Sequence, residues 1–500
     1  YVRATARFWQ TGDRATFAAF SARSYRIPNG LAAYCGVLHP TLQPAPGHQR
    51  YSGRTTRACG THARVGSGGD VMGIIGTSAF RSNMRIMGEA VEHAAAQVVR
   101  AGADLAARHV EAPTLGALAE ADRAASMRVL ILSTDFGGGH DAIANALRAE
   151  LLTRHPGVAV EVTNGLQIGN PAVHKALRGM YEAQITHLPE SYGAAYALAT
   201  KRSTSRVLEW TLSNATHDGL STFIAERDPD VVVSTFPTIT GTLGRMRREG
   251  ELSVPAIATL IDSNPHSMWT APGIDQHVVL NPADAARVAR FGTAAAPVPV
   301  QAVRPPVDPR SFAVVDRNAV RTQFGLPHDR PVVLVSGGSW GLGMPDAELR
   351  ALADASPAHI AVATGRNTAS FAHLSSTFSA DQVTPIGFTS EMPALLAAVD
   401  GVVTNSGGLT TYESFARQRP VVIYRPLPGH GRDGAAALHT DGLATYASTQ
   451  SAATGAIQRI VSGNDADILS RAQRARSLFD QGDFMSDVVV SHARTRTAPF

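Results

Sequence analysis

The segment GVVTNSGGLTTYESFARQRPVVIYR occupies residues 401–425, and the interpretation of the whole chain starts from it. A short apolar strand at 402–403 leads through a glycine turn at 406–408 into a helix that begins near Thr410, and a second apolar strand follows at 421–424. This order is typical of a βαβ unit in an α/β fold. Glycines at the turn let the backbone approach a ligand, and the helix start offers N–H groups that suit a phosphate.

One turn into this helix lies Glu413, an acid that can hold the vicinal hydroxyls of a sugar. The pattern SGxLTxxE, followed by Pro420 and a strand, resembles the nucleotide-sugar signature of GT-B glycosyltransferases. It is most similar to the family that includes monogalactosyldiacylglycerol synthase, processive diacylglycerol glucosyltransferase and the peptidoglycan N-acetylglucosaminyltransferase. The resemblance implies an α/β protein with two Rossmann-like domains that face each other across a cleft.

Length and composition fit that expectation. Five hundred residues predict two domains, and 44% apolar with 17% charged residues indicates a globular protein. No apolar run approaches the ~18 residues of a membrane helix, so we expect membrane contact to be peripheral only. Both cysteines, Cys35 and Cys59, lie in the first sixty residues, which excludes a disulfide scaffold or a cysteine-ligated zinc site in the remainder.

The first 126 residues are predicted to form an extension. They hold 14 Arg against 8 acidic residues, which gives them a net charge of +6. The other 374 residues carry −2, so the whole chain carries +4. Without a basic helix this excess does not indicate nucleic-acid binding. We expect residues 1–70 to be disordered, residues 82–110 to form an amphipathic helix, and Met127 to begin the catalytic unit.

The predicted N-terminal domain, residues 127–312, opens with a strand at 128–132, a GGGH turn and a helix at 141–154. Three consecutive glycines do not match the G-x-G-x-x-G of dinucleotide binding. They resemble the GGGH turn of the diacylglycerol glycosyltransferases, which faces the cleft. The alternative is a tight turn in which the histidine only packs. The GGGH turn consists of Gly137, Gly138, Gly139 and His140.

A second motif, D-x-x-x-H-x-x-W, comprises Asp262, His266 and Trp269 and follows a predicted strand. Ligands of open α/β sheets bind beyond the carboxyl ends of the strands, so Asp262 is well placed to act, although a turn-forming role is the alternative. The resemblance implies that this loop lines the acceptor side. The D-x-D at Asp228 and Asp230 is interpreted as a strand-entry turn, and we therefore predict no essential metal and no cofactor.

A long helical region at 170–226 contains four aromatic residues that we expect mainly in the core, with a place in the acceptor groove as the alternative for some of them. The proline-rich stretch 304–312 is predicted to link the domains. The predicted C-terminal domain, residues 313–500, ends in a closing helix at about 465–479 that crosses back to the first domain. A frayed tail is expected at the last residues, 492–500. The four aromatic residues of the helical region 170–226 are Tyr181, Tyr192, Tyr196 and Trp210.

The C-terminal domain is predicted to hold the donor. Its GGSWG turn at 337–341 resembles the diphosphate loop of the family, and no acidic residue ends the next strand, which disfavours a dehydrogenase. The resemblance places the uracil at residues 387–389. At 426–438 the chain departs from the family, because histidine and glycines replace the expected Gln, Glu and Asn. The predicted donor residues are Gly337, Gly338, Ser339, Gly341, Phe388, Thr389, Ser406, Gly407, Gly408, Thr410, Glu413, His430 and Asp433, and the replacements are His430, Gly431 and Gly434.

The function predicted from this resemblance is inverting hexosyl transfer from a UDP-sugar to a lipid hydroxyl, that of diacylglycerol. Asp262 or His140 is the predicted base. A UDP-sugar epimerase and a non-catalytic nucleotide-sugar-binding protein are the alternatives. The expected partners are the UDP-sugar, the lipid and a membrane surface, without nucleic acid. We expect a cytoplasmic enzyme at the inner face of the plasma membrane.

Overall fold

The computed structural model describes residues 127–497, apart from 201, 339, 342 and 343. The predictions for residues 1–126, including the helix at 82–110 and the two cysteines, fall outside the described residues, as does Ser339. Among the helices that are described, none combines the length and apolar character needed to cross a membrane.

The first lobe is built on a parallel sheet. Its strands β1 and β3–β5 consist largely of buried residues, as expected when helices cover both faces of a sheet. In chain order its elements are β1 (Met127–Ser133), α1 (Gly139–Arg154), β2 (Val158–Asn164), α2 (Gly165–Gly169), α3 (Pro171–His187), α4 (Pro189–Ala199), α5 (Arg202–Arg227), β3 (Val231–Ser234), α6 (Pro237–Arg248), β4 (Ala256–Leu260), β5 (Gln276–Val279), α7 (Pro282–Ala289) and β6 (Val300–Arg304), with a 3-10 helix at Ser267–Trp269. The strand order is β2-β1-β3-β4-β5-β6.

The second lobe repeats this plan with six parallel strands in the order β9-β8-β7-β10-β11-β12. In chain order it contains a 3-10 helix at Pro309–Phe312, α8 (Arg317–Gln323), β7 (Val332–Ser336), α9 (Asp346–Asp354), β8 (His359–Gly365), α10 (Thr368–Thr377), β9 (Val383–Gly387), α11 (Met392–Ala398), β10 (Gly401–Thr404), α12 (Leu409–Ala416), β11 (Val421–Tyr424), α13 (His430–Thr440), β12 (Thr445–Ala447), α14 (Gln450–Ser462) and α15 (Ala466–Ser477). Two Rossmann-like lobes, as predicted for a GT-B protein, are thus confirmed.

The end of the chain returns to the first lobe. Strand β13 (Asp483–Phe484) pairs with β6 as a seventh strand, and helix α16 (Met485–Thr497) packs on α1. The backbone N–H of Ser486 donates to the Glu150 carboxylate at 2.8 Å. The predicted closing helix does form, as α15, but it packs on α12, and the return is made by the two elements after it. The expected frayed tail is wrong from residue 492 to 497, because these residues are helical.

Two other details differ from or extend the sequence-based expectations. Trp210 is not in the core, since 63% of it is exposed. Asp228 and Asp230 both bind Arg128: its guanidinium donates to Asp228 at 2.8 Å, and its backbone N–H donates to Asp230 at 2.7 Å. These carboxylates hold the entry to β3 beside the start of β1.

A partly buried charge cluster joins the two lobes. Asp441, at the end of α13, accepts hydrogen bonds from Asn281 at 2.6 Å and from both terminal nitrogens of Arg287 at 2.6 and 2.8 Å. Arg287 also donates to the buried Asp284 at 2.7 Å. These neighbours raise the pKa of Arg287, led by the hydrogen bond to Asp441.

Replacing Asp441 by asparagine is expected to destabilise the protein by about 2–3 kcal/mol, because it leaves a partly buried guanidinium with fewer acceptors. Asp467→Asn is the matched control: its bond to Arg471 is exposed, so about 1 kcal/mol or less is expected. Thermal unfolding of both variants measures the difference. Equal shifts in Tm would show that the cluster does not hold the lobes together.

Candidate active site

A cavity of about 330 Å³ lies where the carboxyl ends of both sheets meet, and we call it the cleft cavity. Open α/β sheets bind ligands at this edge. Ser336, Gly387 and Thr404, the last residues of β7, β9 and β10, all line it. The predicted site residues that line it are Gly137, Gly138, Gly139, His140, Asp262, Gly337, Gly338, Phe388, Thr389, Ser406, Gly407, Gly408, Thr410, Glu413 and His430.

His140 lies in the first turn of α1, after a loop whose Gly137 and Gly138 have positive φ angles of 66° and 79°. Its Nδ1 lies 2.5 Å from the carbonyl oxygen of Thr235. Because a carbonyl only accepts, Nδ1 carries the hydrogen and Nε2 keeps its lone pair. Burial lowers the pKa of His140 below its usual 6.5. The imidazole is therefore neutral near pH 7 and able to accept a proton.

Asp262 follows β4 and is held by Trp269, whose indole N–H donates to Oδ2 at 2.8 Å. Burial raises the pKa of this carboxyl, but three histidines and the indole N–H have the opposite effect, and the net pKa is lowered. Asp262 is thus a carboxylate, and its charge favours the protonated forms of His140 and His266. The three histidines that lower its own pKa are His430, His266 and His140.

The second lobe contributes two glycine turns to the cavity. One follows β7 and contains Gly337 and Gly338. The other leads from β10 into α12, where Gly408 precedes the helix without a side-chain cap and donates its N–H to Ser406 Oγ at 2.9 Å. An uncapped helix start supplies backbone N–H groups and a positive dipole end to an anion.

Glu413 lies on α12 and is only 9% exposed, although it lines the cavity. Burial, with a smaller contribution from Asp308, raises the pKa of its carboxyl to about 7, against an opposing effect of Arg310. Within the described residues its carboxylate accepts no hydrogen bond. Such a group is ready to accept hydrogen bonds from ligand hydroxyls.

The raised pKa of Glu413 predicts a pH-dependent stability. The folded protein holds this proton up to about pH 7 and the unfolded chain only to about 4.5, so stability falls as the pH rises through that interval. At 1.36 kcal/mol per pH unit the loss reaches about 3 kcal/mol. Glu413→Gln should abolish it, which makes the variant more stable than the parent at pH 8 and equally stable near pH 4. If the curves of Tm against pH run parallel for the parent and for Glu413→Gln, Glu413 is not the source of the pH dependence.

Four predicted residues lie away from the cleft cavity. Trp269 is fully buried and supports Asp262 from behind. His266 packs edge-on against Tyr196 at 5.5 Å, and burial lowers its pKa to about 4. Gly341 lines a neighbouring cavity of about 1080 Å³, and Asp433 lies on the exposed side of α13 in another of about 390 Å³.

The segment 426–438, where the sequence differs from the family it resembles, connects the lobes. His430 Nδ1 forms a hydrogen bond of 2.9 Å with the hydroxyl of Tyr192 on α4. A Cβ added at Gly434 would lie 3.1 Å from the carbonyl oxygen of Ser263, and one at Gly429 would lie 2.7 Å from the Tyr196 ring. The small residues of this segment therefore permit close contact between the lobes.

Two aromatic residues that line the cleft cavity, Tyr181 and Trp340, were not among the site residues predicted from the sequence, and their rings are 5.8 Å apart. Tyr181 also stacks on Phe136, the residue before the glycine turn, at 5.8 Å. A tryptophan within a loop of small residues was the available signal for Trp340. No local signal distinguishes Tyr181 from other helical aromatics.

Comparison with known proteins agrees with this geometry. Residues 140–300 match the family model of monogalactosyldiacylglycerol (MGDG) synthase. The predicted resemblance is confirmed. The segment similar to MGDG synthase begins at His140 and includes Asp262, and therefore contributes part of the first-lobe side of the cleft cavity.

Named relatives extend the similarity beyond that segment. The processive diacylglycerol beta-glucosyltransferase of Bacillus pumilus is 27% identical over 315 residues, which is 62% of this chain and 80% of the relative. The Bacillus subtilis enzyme of the same name is 25% identical with the same coverage. Among solved structures, the calicheamicin glycosyltransferase CalG4 aligns with 75% of this chain and 99% of its own at 17% identity and a TM-score of 0.47.

Proposed function

We propose that this protein transfers a hexosyl group from a UDP-sugar to the hydroxyl of diacylglycerol with inversion at the anomeric carbon. The observation that supports this most directly is the cleft cavity, where a neutral histidine of the first lobe faces the glycine turns of the second. The similarity to MGDG synthase and to the bacterial diacylglycerol glucosyltransferases indicates the lipid acceptor.

The donor half of the site is the second lobe. The diphosphate would bind at the turn after β7 and at the start of α12, where backbone N–H groups stabilise the charge that develops as UDP leaves. Glu413, ionised on binding, would accept hydrogen bonds from vicinal hydroxyls of the donor. Since these groups supply the leaving-group stabilisation, we propose a reaction without an essential metal.

The acceptor proton goes to His140. The lipid oxygen attacks the anomeric carbon from the face opposite UDP, the bond from that carbon to the diphosphate oxygen breaks, and the proton of the hydroxyl passes to Nε2. Nδ1 stays bonded to Thr235, which fixes the ring and its tautomer. Asp262 stabilises the imidazolium that results, since its charge opposes the effect of burial on the pKa of His140.

Turnover assays test the proposal. UDP release that requires diacylglycerol, with a glycolipid as product, is the expected result. Interconversion of UDP-sugars without a lipid would identify an epimerase instead. UDP binding without any turnover would identify a nucleotide-sugar-binding protein, and either outcome would overturn the proposal.

A lipid acceptor also requires contact with a membrane surface. We propose that α3–α5 make it, because Leu188 and Trp210 there are 65% and 63% exposed. Replacing both by aspartate should release the protein from diacylglycerol-containing vesicles while UDP binding is retained. Phe371→Asp, an exposed aromatic on α10 of the second lobe, is the control that should still sediment with vesicles. Equal sedimentation of the double variant would refute this surface.

A further inference from the structure

The first lobe contains a histidine with two carboxylates at a place that the transfer reaction does not use. His217 lies on α5, and Glu249 and Glu251 lie in the turn after α6. One oxygen of each glutamate and the Nε2 atom of His217 lie within 4.8 Å of one another. None of the three residues lines the cleft cavity.

The separations match those of ligands that share one small cation. His217 Nε2 lies 3.4 Å from Glu249 Oε2 and 3.0 Å from Glu251 Oε2. Ligands at about 2.0–2.1 Å from a tetrahedral zinc ion are about 3.3–3.4 Å apart. The two carboxylates and a neutral imidazole carry two negative charges together, which balance a divalent cation.

The hydrogen bonding of His217 leaves the ligating nitrogen unsatisfied. Nδ1 lies 3.0 Å from Asp218 Oδ1, and with its hydrogen on Nδ1 the ring donates to that carboxylate and presents the Nε2 lone pair to the two glutamates. Nε2 is buried and, in the described part of the chain, makes no hydrogen bond despite its two carboxylate neighbours. Because Nε2 lies near both carboxylate oxygens without the geometry of an N–H donor, a cation between the three atoms accounts for their close approach.

Hydrogen bonds from neighbouring residues orient the proposed ligands, as in known metal sites. A metal-bound histidine usually donates its other N–H to a carboxylate or carbonyl, as His217 does to Asp218. The second oxygen of Glu249 accepts from Arg245 Nε at 2.8 Å, which orients this carboxylate as well. Partners that orient two of the three proposed ligands, His217 and Glu249, are thus in place.

We propose that His217, Glu249 and Glu251 bind a zinc ion, with water as the fourth ligand. The ion would clamp α5 to the turn that connects α6 with β4. It would stabilise the first lobe and take no part in sugar transfer. The proposal does not depend on the function proposed above.

The test is zinc binding by the full chain with Cys35 and Cys59 alkylated, measured in competition with a chromogenic chelator. His217→Gln and Glu251→Gln are each expected to weaken one equivalent of zinc by at least about tenfold. His373→Gln is the control, because His373 pairs with a single carboxylate, Asp346, and should keep that equivalent. Unchanged binding in both site variants would refute the site.

Two further measurements separate this site from other zinc binding. Zinc at 100 times its Kd should raise the Tm of the parent by about 5 °C and leave that of His217→Gln unchanged. X-ray absorption at the zinc edge should show nitrogen and oxygen ligands at about 2.0–2.1 Å without sulfur at about 2.3 Å. The same rise in Tm in the variant, or a sulfur shell, would overturn the proposal.

Discussion

Replacing His140 by alanine is expected to lower the rate of sugar transfer by about 10²- to 10⁴-fold, because the acceptor hydroxyl then loses its base. UDP affinity should stay within about twofold of the parent, since the diphosphate turns belong to the other lobe. Because burial lowers the pKa of His140 below 6.5, the parent rate at saturating UDP-sugar, where Glu413 is already ionised by binding, should be independent of pH from 8 down to 6.5 and fall only at lower pH. Steady-state kinetics with diacylglycerol vesicles and calorimetry with UDP measure these effects.

Asp262→Asn separates the two candidate bases. If Asp262 supports His140, the amide keeps the bond to the Trp269 indole but stabilises no imidazolium, and a smaller loss of about 10- to 100-fold is expected. The double variant should then be little worse than His140→Ala, because the two groups act as a unit. Sugar transfer by the double variant at the parent rate would contradict both assignments.

Replacing Gly341 by alanine is expected to weaken UDP binding by more than about tenfold and to lower Tm by several degrees. Gly341 has a φ of 59°, and a Cβ there would lie 1.9 Å from the carbonyl oxygen of Thr364 at the end of β8. The turn after β7 must therefore move, and with it Gly337 and Gly338 of the cleft cavity. Calorimetry and thermal unfolding measure both changes.

Two other glycines serve as controls for Gly341. Gly338→Ala has a positive φ of 74° but open space around the added Cβ, so only about 1–2 kcal/mol of backbone strain is expected. Gly455 lies inside α14 with no atom within 4 Å and no positive φ, so alanine there should be neutral or stabilising. If Gly341→Ala and Gly455→Ala have the same UDP affinity and the same Tm, the close approach of Gly341 to the Thr364 carbonyl is not required.

The sequence was sufficient for the parts of the molecule that depend on local signals. Apolar strands that end in glycine turns predicted both series of βαβ units, and the carboxyl end of a strand predicted the place of Asp262, while the family resemblance placed His140 and Glu413 at the same cleft. These features follow from neighbouring residues, because turn conformation and helix start are set within a few positions.

The parts that depend on contact between distant segments were not predictable. The D-x-x-x-H-x-x-W spacing does not reveal that Trp269 lies behind Asp262 while His266 turns towards Tyr196. Asp433 lies outside the cleft cavity because of the way α13 packs on the first lobe. The pairing of β13 with β6 joins residues about 180 positions apart. No local pattern encodes such tertiary choices.

The pairing of β13 with β6 also constrains how the protein is made. During synthesis β6 emerges about 180 residues before its partner, so at roughly 5–20 residues per second the edge of the first sheet stays open for about 10–40 s. An open strand edge invites pairing with other nascent chains. Ribosome-bound intermediates ending between β6 and β13 are thus the stage of biogenesis at which a chaperone would matter most.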